Sequence, residues 1–446
     1  MPPIALPLTP DAASLSFDDG DTRIHRSIGS TGVRVLTQRV PAAQSVSASL
    51  WVPVGSRDED PARAGSTHFL EHLLFKRTAR RSALDIAVAF DSVGGESNAE
   101  TGREHTAYWA RVRDADLGTA IDVLVDMVTG SVLDPADFDT ERGVILDELA
   151  MGDDNPVEVV HDAFQLAVHG DTPIGRPVGG TADAIRAVGR DDVWEHYQSN
   201  YGCPSLIVVA SGNVDHDELV ERVDGALAAS QWSTAPRPPR PRRPTAAPEG
   251  AGSAGEGVVE RRRDVGQAHV VLGCEGLRAT DEETPVMHVL LSVLGGSMSS
   301  RLFQEIREKR GLAYTTYAFA SPYSDTGSFG MYAGTSPGSV PEVEAIMRAQ
   351  LEDLATQGPT DEEMARVRGQ VRGGLVLGLE DNWSRMMRLG RSEIMGRYRV
   401  VEETLRNIES VDAQQVRSLA SRLAARLRAR AVVLPRQWEP ATTHTH

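Results

Sequence analysis

The chain has 446 residues, of which 40% are hydrophobic and 24% are charged, so it can bury full cores and is long enough for two or three domains. Its formal net charge of −17 argues against general nucleic-acid binding, which requires a basic surface. No apolar run approaches about eighteen residues, so we expect no membrane-spanning helix and no membrane insertion.

The start of the chain and its cysteine and lysine usage bear on where the protein works. The two cysteines, Cys203 and Cys274, favour free thiols in a reducing compartment over a disulfide framework. The first residues lack the pattern of a signal peptide and that of a mitochondrial transit peptide. Lys76 and Lys309 are the only lysines among 46 basic residues, which indicates a high-GC bacterial genome. We therefore expect a cytoplasmic bacterial protein.

The first informative element is a short helix that follows an alternating strand. Residues 45–54 alternate as a strand and lead into residues 67–75, which contain the pattern H-x-x-E-H. Histidines four apart lie on one face of a helix, so His68 and His72 can present two nitrogens to one metal ion. Glu71 lies at the edge of that face, where it can reach a water on the metal without being a ligand.

This pattern is the inverted form of a zinc-protease signature, but alone it does not define a metal site. Three fixed positions in five residues also arise by chance, and a histidine pair on an amphipathic helix is more often packed or solvated than metal-bound. Ser66 and Thr67 are suited to cap the start of the helix. A zinc site additionally requires a third protein ligand from elsewhere in the chain.

Residues 135–152 are predicted to form a helix that can supply this ligand. Asp134 is a suitable N-cap, and Pro135 fits the first turn. Glu141 and Glu148 are seven residues apart and therefore nearly aligned along the helix. Two carboxylates on one side of a helix can serve as a metal ligand and as a group that orients another ligand. The alternative is that they belong to a solvated acidic face of the helix.

A segment rich in proline and arginine, residues 233–257, separates the two halves of the chain. Its composition opposes both helix and sheet and predicts an extended, partly stiff linker. Recognition of the Pro-Arg string by a proline-binding module is the alternative interpretation.

The pattern of the first half recurs after this segment. A strand at residues 267–272 and a helix at 285–294, without H-x-x-E-H, indicate an internal duplication in which only the first copy keeps metal chemistry. Strands and amphipathic helices mix in blocks, which predicts an α+β fold of two related halves, each an antiparallel sheet covered by helices. The predicted domains are a zinc-binding catalytic domain at 1–232, the linker at 233–257 and a related domain without a metal site at 258–446.

The motif residues together resemble the pitrilysin/insulinase family of zinc peptidases, and most of all its branch with mitochondrial processing peptidase and small bacterial relatives. The resemblance rests on H-x-x-E-H and on the sequence E-R-G-V-I-L-D-E that begins at Glu141. It implies that Zn²⁺ is the cofactor and that Glu148, 76 positions after His72, is its third ligand beside the two histidines. Glu141 matches an additional active-site glutamate of the family.

Two further segments are similar to the same family. Residues 98–101 and the strand after them resemble its substrate-binding edge strand. Residues 299–314 resemble its second-half signature, which implies that Arg307 and Tyr314 assist the catalytic site of the first half. The implied substrate-binding residues are Asn98, Ala99, Glu100 and Thr101.

These resemblances imply a zinc-dependent endopeptidase that hydrolyses short or unfolded peptides inside a clam-like chamber between its halves. Two neutral histidines and one glutamate leave Zn²⁺ with a net positive charge, which lowers the pKa of a bound water toward ~7. Glu71 would act as the general base, and Arg307 and Tyr314 are suited to stabilise the oxyanion. Family members of this size work in pairs, and the intact site favours a homodimer.

Two alternatives stay open at this point. The chain can be a non-catalytic peptide-binding or scaffold subunit of a processing-peptidase-like heterodimer, although such subunits typically lack site residues that are present here. It can also be a zinc hydrolase of non-peptide amides, in which case the peptide-binding strand would have no purpose. Glu96, Glu100 and Glu104 near that strand predict a preference for basic peptides, with a solvated acidic surface as the alternative.

Overall fold

A computed structural model of the chain describes residues 2–9, 13–245 and 257–439. The described residues divide into two compact units. The first unit consists of Met1–Asp147, Pro177–Arg243 and Gly374–Thr404. The second consists of Glu148–Arg176, Pro244–Gly373 and Leu405–His446.

The strands are, in chain order, β1 (Ile4–Ala5), β2 (Ser14–Asp19), β3 (Thr22–Ile28), β4 (Arg34–Arg39), β5 (Ser45–Val52), β6 (Glu96–Thr101), β7 (Thr106–Arg113), β8 (Ile207–Gly212), β9 (Val258–Arg263), β10 (Ala268–Glu275), β11 (Ala313–Pro322), β12 (Gly327–Thr335), β13 (Arg397–Tyr398) and β14 (Ala429–Pro435).

The helices are α1 (Ser66–Leu74), α2 (Ala83–Asp91), α3 (Leu117–Gly130), α4 (Pro135–Asp153), α5 (Pro156–His169), α6 (Ala182–Ala187), α7 (Arg190–Asn200), α8 (His216–Ala228), α9 (Thr284–Gly295), α10 (Val340–Thr356), α11 (Asp361–Gly378), α12 (Asn382–Met395), α13 (Val401–Glu409) and α14 (Ala413–Ala425). Short 3₁₀ turns lie at Ser56–Asp58, Pro61–Arg63, Asp114–Asp116, Cys203–Ser205 and Pro337–Ser339, and Phe303–Glu308 forms a π-helical turn.

The sheet of the first unit has seven strands in the order β2-β3-β4-β8-β5-β7-β6. Its neighbouring strands are antiparallel except for the parallel pair β4 and β8. The central strand β5 is buried from Val46 to Val52, because α3 covers one face of the sheet and α12 the other. Strand β6 lies at the edge, with Ala99 opposite Tyr108 and Thr101 opposite Thr106.

The sheet of the second unit repeats this order. Its strands run β11-β12-β10-β14-β9, with β9 and β14 as the parallel pair. Matched strand for strand, this is the series β6-β7-β5-β8-β4 of the first unit, with the same relative directions. The predicted α+β fold of two related halves is therefore confirmed, with one parallel pair in each otherwise antiparallel sheet.

Each unit takes a segment from the other half of the sequence. Residues Glu148–Arg176, which include α5, belong to the second unit, and Gly374–Thr404, which include α12, belong to the first. On α12, Met386 and Leu389 share a core with Trp51, and Gly390 lies so close that a Cβ there would come 2.5 Å from the Trp51 ring. The units therefore do not coincide with a single division of the chain at residues 233–257.

The proline- and arginine-rich segment is extended in its described part, as its composition predicts. Residues 246–256 of it lie outside the described residues. Its backbone is anchored on the first unit, where the N–H of Arg237 donates to Ser30 O (3.0 Å) and that of Arg240 to Pro204 O (2.7 Å). Several of its arginines also bind residues of that unit, so this part is more than a spacer.

One of these arginines joins a buried cluster of charges around Glu393 of α12. Glu393 and Arg26 are both 0% exposed, and Arg26 Nε donates to Glu393 Oε2 (2.8 Å). Arg242 donates from Nη2 to Glu393 Oε1 (2.8 Å), and Arg34 lies 3.4 Å from the same oxygen. Burial lowers the pKa of Arg34 to about 10, against the opposing effect of Glu393.

Two predictions made from composition can be compared with the structure. Cys203 and Cys274 are buried free thiols in different units. Within the described ranges, every helix is too short or too polar to cross a membrane.

We expect Glu393→Gln to destabilise the first unit by about 3–5 kcal/mol, because it leaves buried arginines without a compensating charge. Urea unfolding followed by tryptophan fluorescence measures this, since Trp51 lies in the same unit. The matched control is Glu218→Gln, which removes an exposed ion pair with Arg222 and should cost less than about 1 kcal/mol. Equal shifts in both variants would contradict the prediction.

Candidate metal centre

Helix α1 begins at a conformation that only glycine adopts readily. Gly65 has φ +96°, and a Cβ there would lie 2.5 Å from Ile185 Cδ1. The carboxylate of Glu59 accepts from Gly65 N (2.7 Å) and Thr67 N (2.6 Å), so it satisfies the free N–H groups of the first turn. Burial raises the pKa of Glu59, while these hydrogen bonds oppose the shift.

The prediction that Ser66 and Thr67 cap this helix is wrong, because Glu59 from the preceding loop takes that role. Ser66 Oγ instead donates to Arg63 O (2.7 Å). Thr67 Oγ1 lies 3.1 Å from Nε2 of His196.

Helix α1 turns its apolar side into the core and leaves the motif residues on the other side. Phe69, Leu70, Leu73 and Leu74 are at most 1% exposed. The ring of Phe69 stacks on that of Phe138 in α4, with centroids 4.2 Å apart and planes 8° from parallel. This packing places the histidines of α1 beside α4.

His68, His72 and Glu148 together offer three metal ligands whose ligand atoms all lie within 4.8 Å of one another. The boundary between the two units falls inside α4, between Asp147 and Glu148, so the continuous helix itself determines where Glu148 lies. The two Nε2 atoms are 3.3 Å apart. Two nitrogens bound to tetrahedral zinc at about 2.0–2.1 Å each lie roughly 3.3–3.4 Å apart, so the donor set fits this ion.

Glu141 orients one of the two histidines. Its carboxylate is buried and accepts from His72 Nδ1 (3.1 Å), and Lys76 Nζ lies 2.7 Å from its other oxygen. With the proton on Nδ1, the lone pair of His72 is on Nε2, the nitrogen that faces His68. Glu141 was predicted to be an additional active-site glutamate. This geometry supports a positioning role for it, in which Glu141 orients the ring of His72.

Glu71 lies beside the edge strand and two buried phenols. Thr101 Oγ1 donates a hydrogen bond to Glu71 Oε2. The hydroxyls of Tyr108 and Tyr201 are 3.2 Å apart. Burial raises the pKa of Tyr201 to about 12 and raises that of Tyr108 well above its ordinary value, and the charge of Glu71 adds to both shifts. Both phenols therefore stay neutral near the carboxylate.

The predicted substrate strand is β6, at the sheet edge that a further strand can join. Asn98 Oδ1 accepts from the N–H of Ala99 (2.8 Å), and Glu100 lies 3.5 Å from Nε2 of His105. The hydrogen bond from His105 lowers the pKa of Glu100. Glu104 is buried and bound to Arg57 (2.5 Å), so it is not available to attract basic peptides.

Arg307 and Tyr314 lie in the second unit, where the structure brings them together. The guanidinium of Arg307 lies 4.4 Å from the ring centroid of Tyr314 and donates to its carbonyl (3.0 Å). Tyr314 is among the most exposed large hydrophobic residues of the described chain. Their assistance to the metal centre stays a prediction.

Several residues of the site were missed by sequence reasoning. Lys76 follows His72 at helical spacing, so this spacing could have indicated it. His196 and Tyr201 contact residues far away along the chain, so no local pattern marks them. Glu59 lies only six to eight residues before its partners, but it is in a loop without a regular spacing.

The fold and this donor set are those that the sequence resemblance implies for inverted-motif zinc peptidases. A family profile described as Insulinase (Peptidase family M16) matches residues 34–182, and one described as Peptidase M16 inactive domain matches residues 187–371. The chain therefore belongs to the M16, or pitrilysin/insulinase, family of peptidases, as the sequence resemblance predicted.

Individual relatives agree with this membership. A protein of Streptomyces coelicolor named uncharacterized zinc protease is 45% identical over 419 residues, covering 94% of this chain and 91% of that protein. One of the same description from Mycobacterium tuberculosis is 43% identical over 407 residues, covering 91% of each. The crystal structure of a Helicobacter pylori protease shares the fold, with a TM-score of 0.82 at 19% identity, over 94% of this chain and 98% of that one.

We expect Glu148→Gln to lower zinc occupancy strongly, because it removes a charged ligand, and Glu141→Gln to weaken zinc binding by about 10- to 100-fold through loss of the His72 hydrogen bond. Zinc is counted by atomic absorption after dialysis. Asp147→Asn, an exposed neighbour on α4, is the control and should keep full zinc. Full occupancy in Glu148→Gln would remove Glu148 from the ligand set.

Proposed function

We propose that this chain is a zinc-dependent endopeptidase that hydrolyses short or unfolded peptides. The observation that carries the proposal is the convergence of His68, His72 and Glu148 beside Glu71, a carboxylate outside that set of ligand atoms. Family membership and relatives named zinc proteases support the same activity.

The chain's own residues can carry the proton transfers of hydrolysis. Zinc bound by the three ligands would polarise the scissile carbonyl and lower the pKa of the attacking water. Glu71 would take the proton of that water and deliver it to the leaving amine. Because Thr101 donates to Oε2 of Glu71, it holds the carboxylate in place and leaves Oε1 for the proton. Tyr314 and Arg307 are proposed to stabilise the oxyanion.

Strand β6 is the proposed peptide-binding edge. A peptide that adds to it as an extra strand is held by backbone hydrogen bonds, which give affinity with little sequence selectivity. The N–H of Ala99 is bound by Asn98 Oδ1, and a substrate carbonyl would replace that oxygen. Asn98, Ala99, Glu100 and Thr101 thus form the proposed substrate-binding set. Backbone recognition explains why the substrate must be short or unfolded, and a chamber between the halves would impose the same limit.

The alternative is a non-catalytic peptide-binding subunit of a heterodimer. The region matched as an inactive domain, residues 187–371, contains none of the metal-ligating residues. The site residues of the first half are all present, which favours the enzyme. For the same reason we propose a homodimer, and the two buried free thiols favour work in the cytoplasm.

Digestion of an unfolded peptide library by the wild type and by Glu71→Gln tests the proposal. We expect Glu71→Gln to keep about one zinc per chain and to lose roughly 10²- to 10⁴-fold in kcat, because only proton transfer is removed. Thr101→Ser keeps the hydroxyl and is the matched control. A zinc-loaded wild type that cleaves no peptide would favour the non-catalytic subunit, and near-normal activity of Glu71→Gln would refute the general-base role.

Tyr314→Phe should lower kcat by about 10²-fold if its hydroxyl stabilises the oxyanion, and should leave zinc content unchanged. Peptide cleavage rates and zinc counts measure the two effects. Tyr317→Phe on the same strand is the control, since its hydroxyl binds His161 (2.8 Å) within the second unit. Equal rates for Tyr314→Phe and wild type would exclude Tyr314 from the site.

A further inference from the structure

The proline–arginine strap, residues 236–243, lies close against the first unit. Besides the two backbone hydrogen bonds described above, it approaches Gly32 so closely that a Cβ there would lie 2.8 Å from Arg237 O. Gly32 also has φ +85°, which favours glycine at this point. The strap therefore has a defined position on the first unit, and the side chains of Arg240 and Arg243 contact residues of that unit.

A chain of hydrogen bonds, here called the first relay, connects Arg240 with Thr67 in helix α1. The guanidinium of Arg240 donates to Oδ1 of Asn200 at the end of α7 (3.3 Å). Asn200 Nδ2 donates to the carbonyl of His196 (3.0 Å) and lies 3.3 Å from its Nδ1. His196 Nε2 in turn lies 3.1 Å from Oγ1 of Thr67, the residue before the first histidine of the motif.

The chemistry of this relay permits one arrangement of protons. Arginine only donates, so the atom of Asn200 that faces Arg240 must be the oxygen, and its NH₂ group faces His196. His196 Nδ1 then accepts, which places the ring proton on Nε2, facing Thr67. Burial lowers the pKa of His196 to about 4, so the ring is neutral at physiological pH and keeps this tautomer.

A second chain of hydrogen bonds, here called the second relay, connects Arg243 with the loop that contains Glu59. Its Nη2 binds the carboxylate of Asp58 and donates to Pro53 O (3.2 Å), and Asp58 also accepts from the N–H of Gly55 (2.9 Å). These bonds shape the loop that ends in Glu59. Glu59 is the residue whose carboxylate accepts from the N–H groups of Gly65 and Thr67, so both relays converge on the first turn of α1 at Thr67.

We propose that Arg240 and Arg243 are positioning residues for the metal centre, which they influence by holding the first turn of α1. The inference rests on the proposed function, since it concerns zinc bound by that helix. A zinc site tolerates errors of only tenths of an ångström in its ligand positions, and α1 has just nine residues. Support of its first turn therefore translates into metal affinity.

The test compares zinc dissociation constants, measured by competition with a chelating dye, for Arg240→Gln, Arg243→Gln and the double variant. We expect a rise of about 3- to 10-fold for each single variant and up to about 100-fold for the double, in the range found for groups that orient metal ligands. The value of kcat at subsaturating zinc should fall with these constants, while the KM of Arg240→Gln stays unchanged because the hydrogen bonds from Arg240 to Thr67 do not pass through β6. Arg237→Gln is the matched control, because this arginine lies in the same strap and its side chain is exposed.

Two further variants separate positioning from general stability. Arg243→Lys keeps the charge beside Asp58 and should restore most of the affinity. Thr67→Val removes the end of the first relay, so Arg240→Gln should have no additional effect on zinc affinity in that background. If Arg243→Gln does not fold, Asp58→Asn removes the same ion pair and replaces it in the series.

The possible failures are distinguishable. A wild type that binds no zinc would refute the proposed function and the positioning role with it. A wild type that binds zinc, with both glutamine variants matching Arg237→Gln, would overturn the positioning role alone. Loss of affinity in Arg240→Gln that persists in the Thr67→Val background would overturn the first relay.

Discussion

The candidate metal centre of His68, His72 and Glu148 depends on the packing of one phenylalanine ring on another. Two of its candidate ligands come from α1 and the third from α4, so the three side chains can share one ion only while these helices keep a fixed separation. The stack of Phe69 on Phe138 determines that separation, and Arg142 covers it with its guanidinium 4.9 Å from the Phe138 centroid. The distance between α1 and α4 is thus fixed by apolar contact and not by the polar groups of the site.

Apolar contact fixes the distance between the helices but does not determine how the helices and the histidine rings are rotated. Hydrogen bonds, which are directional, determine these rotations. Glu141 selects the orientation of the His72 ring, and Glu59 selects where α1 begins. The cluster around Glu393 acts similarly on α12, which it fixes to the sheet through Arg26. In each case one buried or partly buried carboxylate binds several donors, so its desolvation is compensated only when all partners are in place.

The elements that the sequence predicted well are those that depend on local patterns. The strand at 45–54 and the helix at 135–152 appear as β5 and α4, because alternation, an Asp-Pro start and helical spacing are properties of the segments themselves. The candidate metal ligands were predicted from local spacing together with a family resemblance, and the structure brings their side chains together. The order of the strands followed only from the structure.

The remaining features depend on contacts between distant parts of the chain. His196 of α7 reaches Thr67 in the first turn of α1, and α12 joins a sheet whose strands all lie in the first half of the chain, so neither leaves a local signal. Composition predicted the extended form of the proline–arginine strap. It could not show which residues of the first unit Arg240, Arg242 and Arg243 would bind, because propensity carries no information on side-chain partners.

Because each unit contains a segment from the other half of the sequence, the two halves can no longer be separated as independent domains. A simple tandem duplication gives two halves that can each be expressed alone, or recombined with another copy. Here the core around Trp51 is completed by α12, encoded far downstream, and the second unit takes α5 from the first half of the chain. A cut between the halves would leave each with an exposed apolar face, so we expect neither half to be stable without the other.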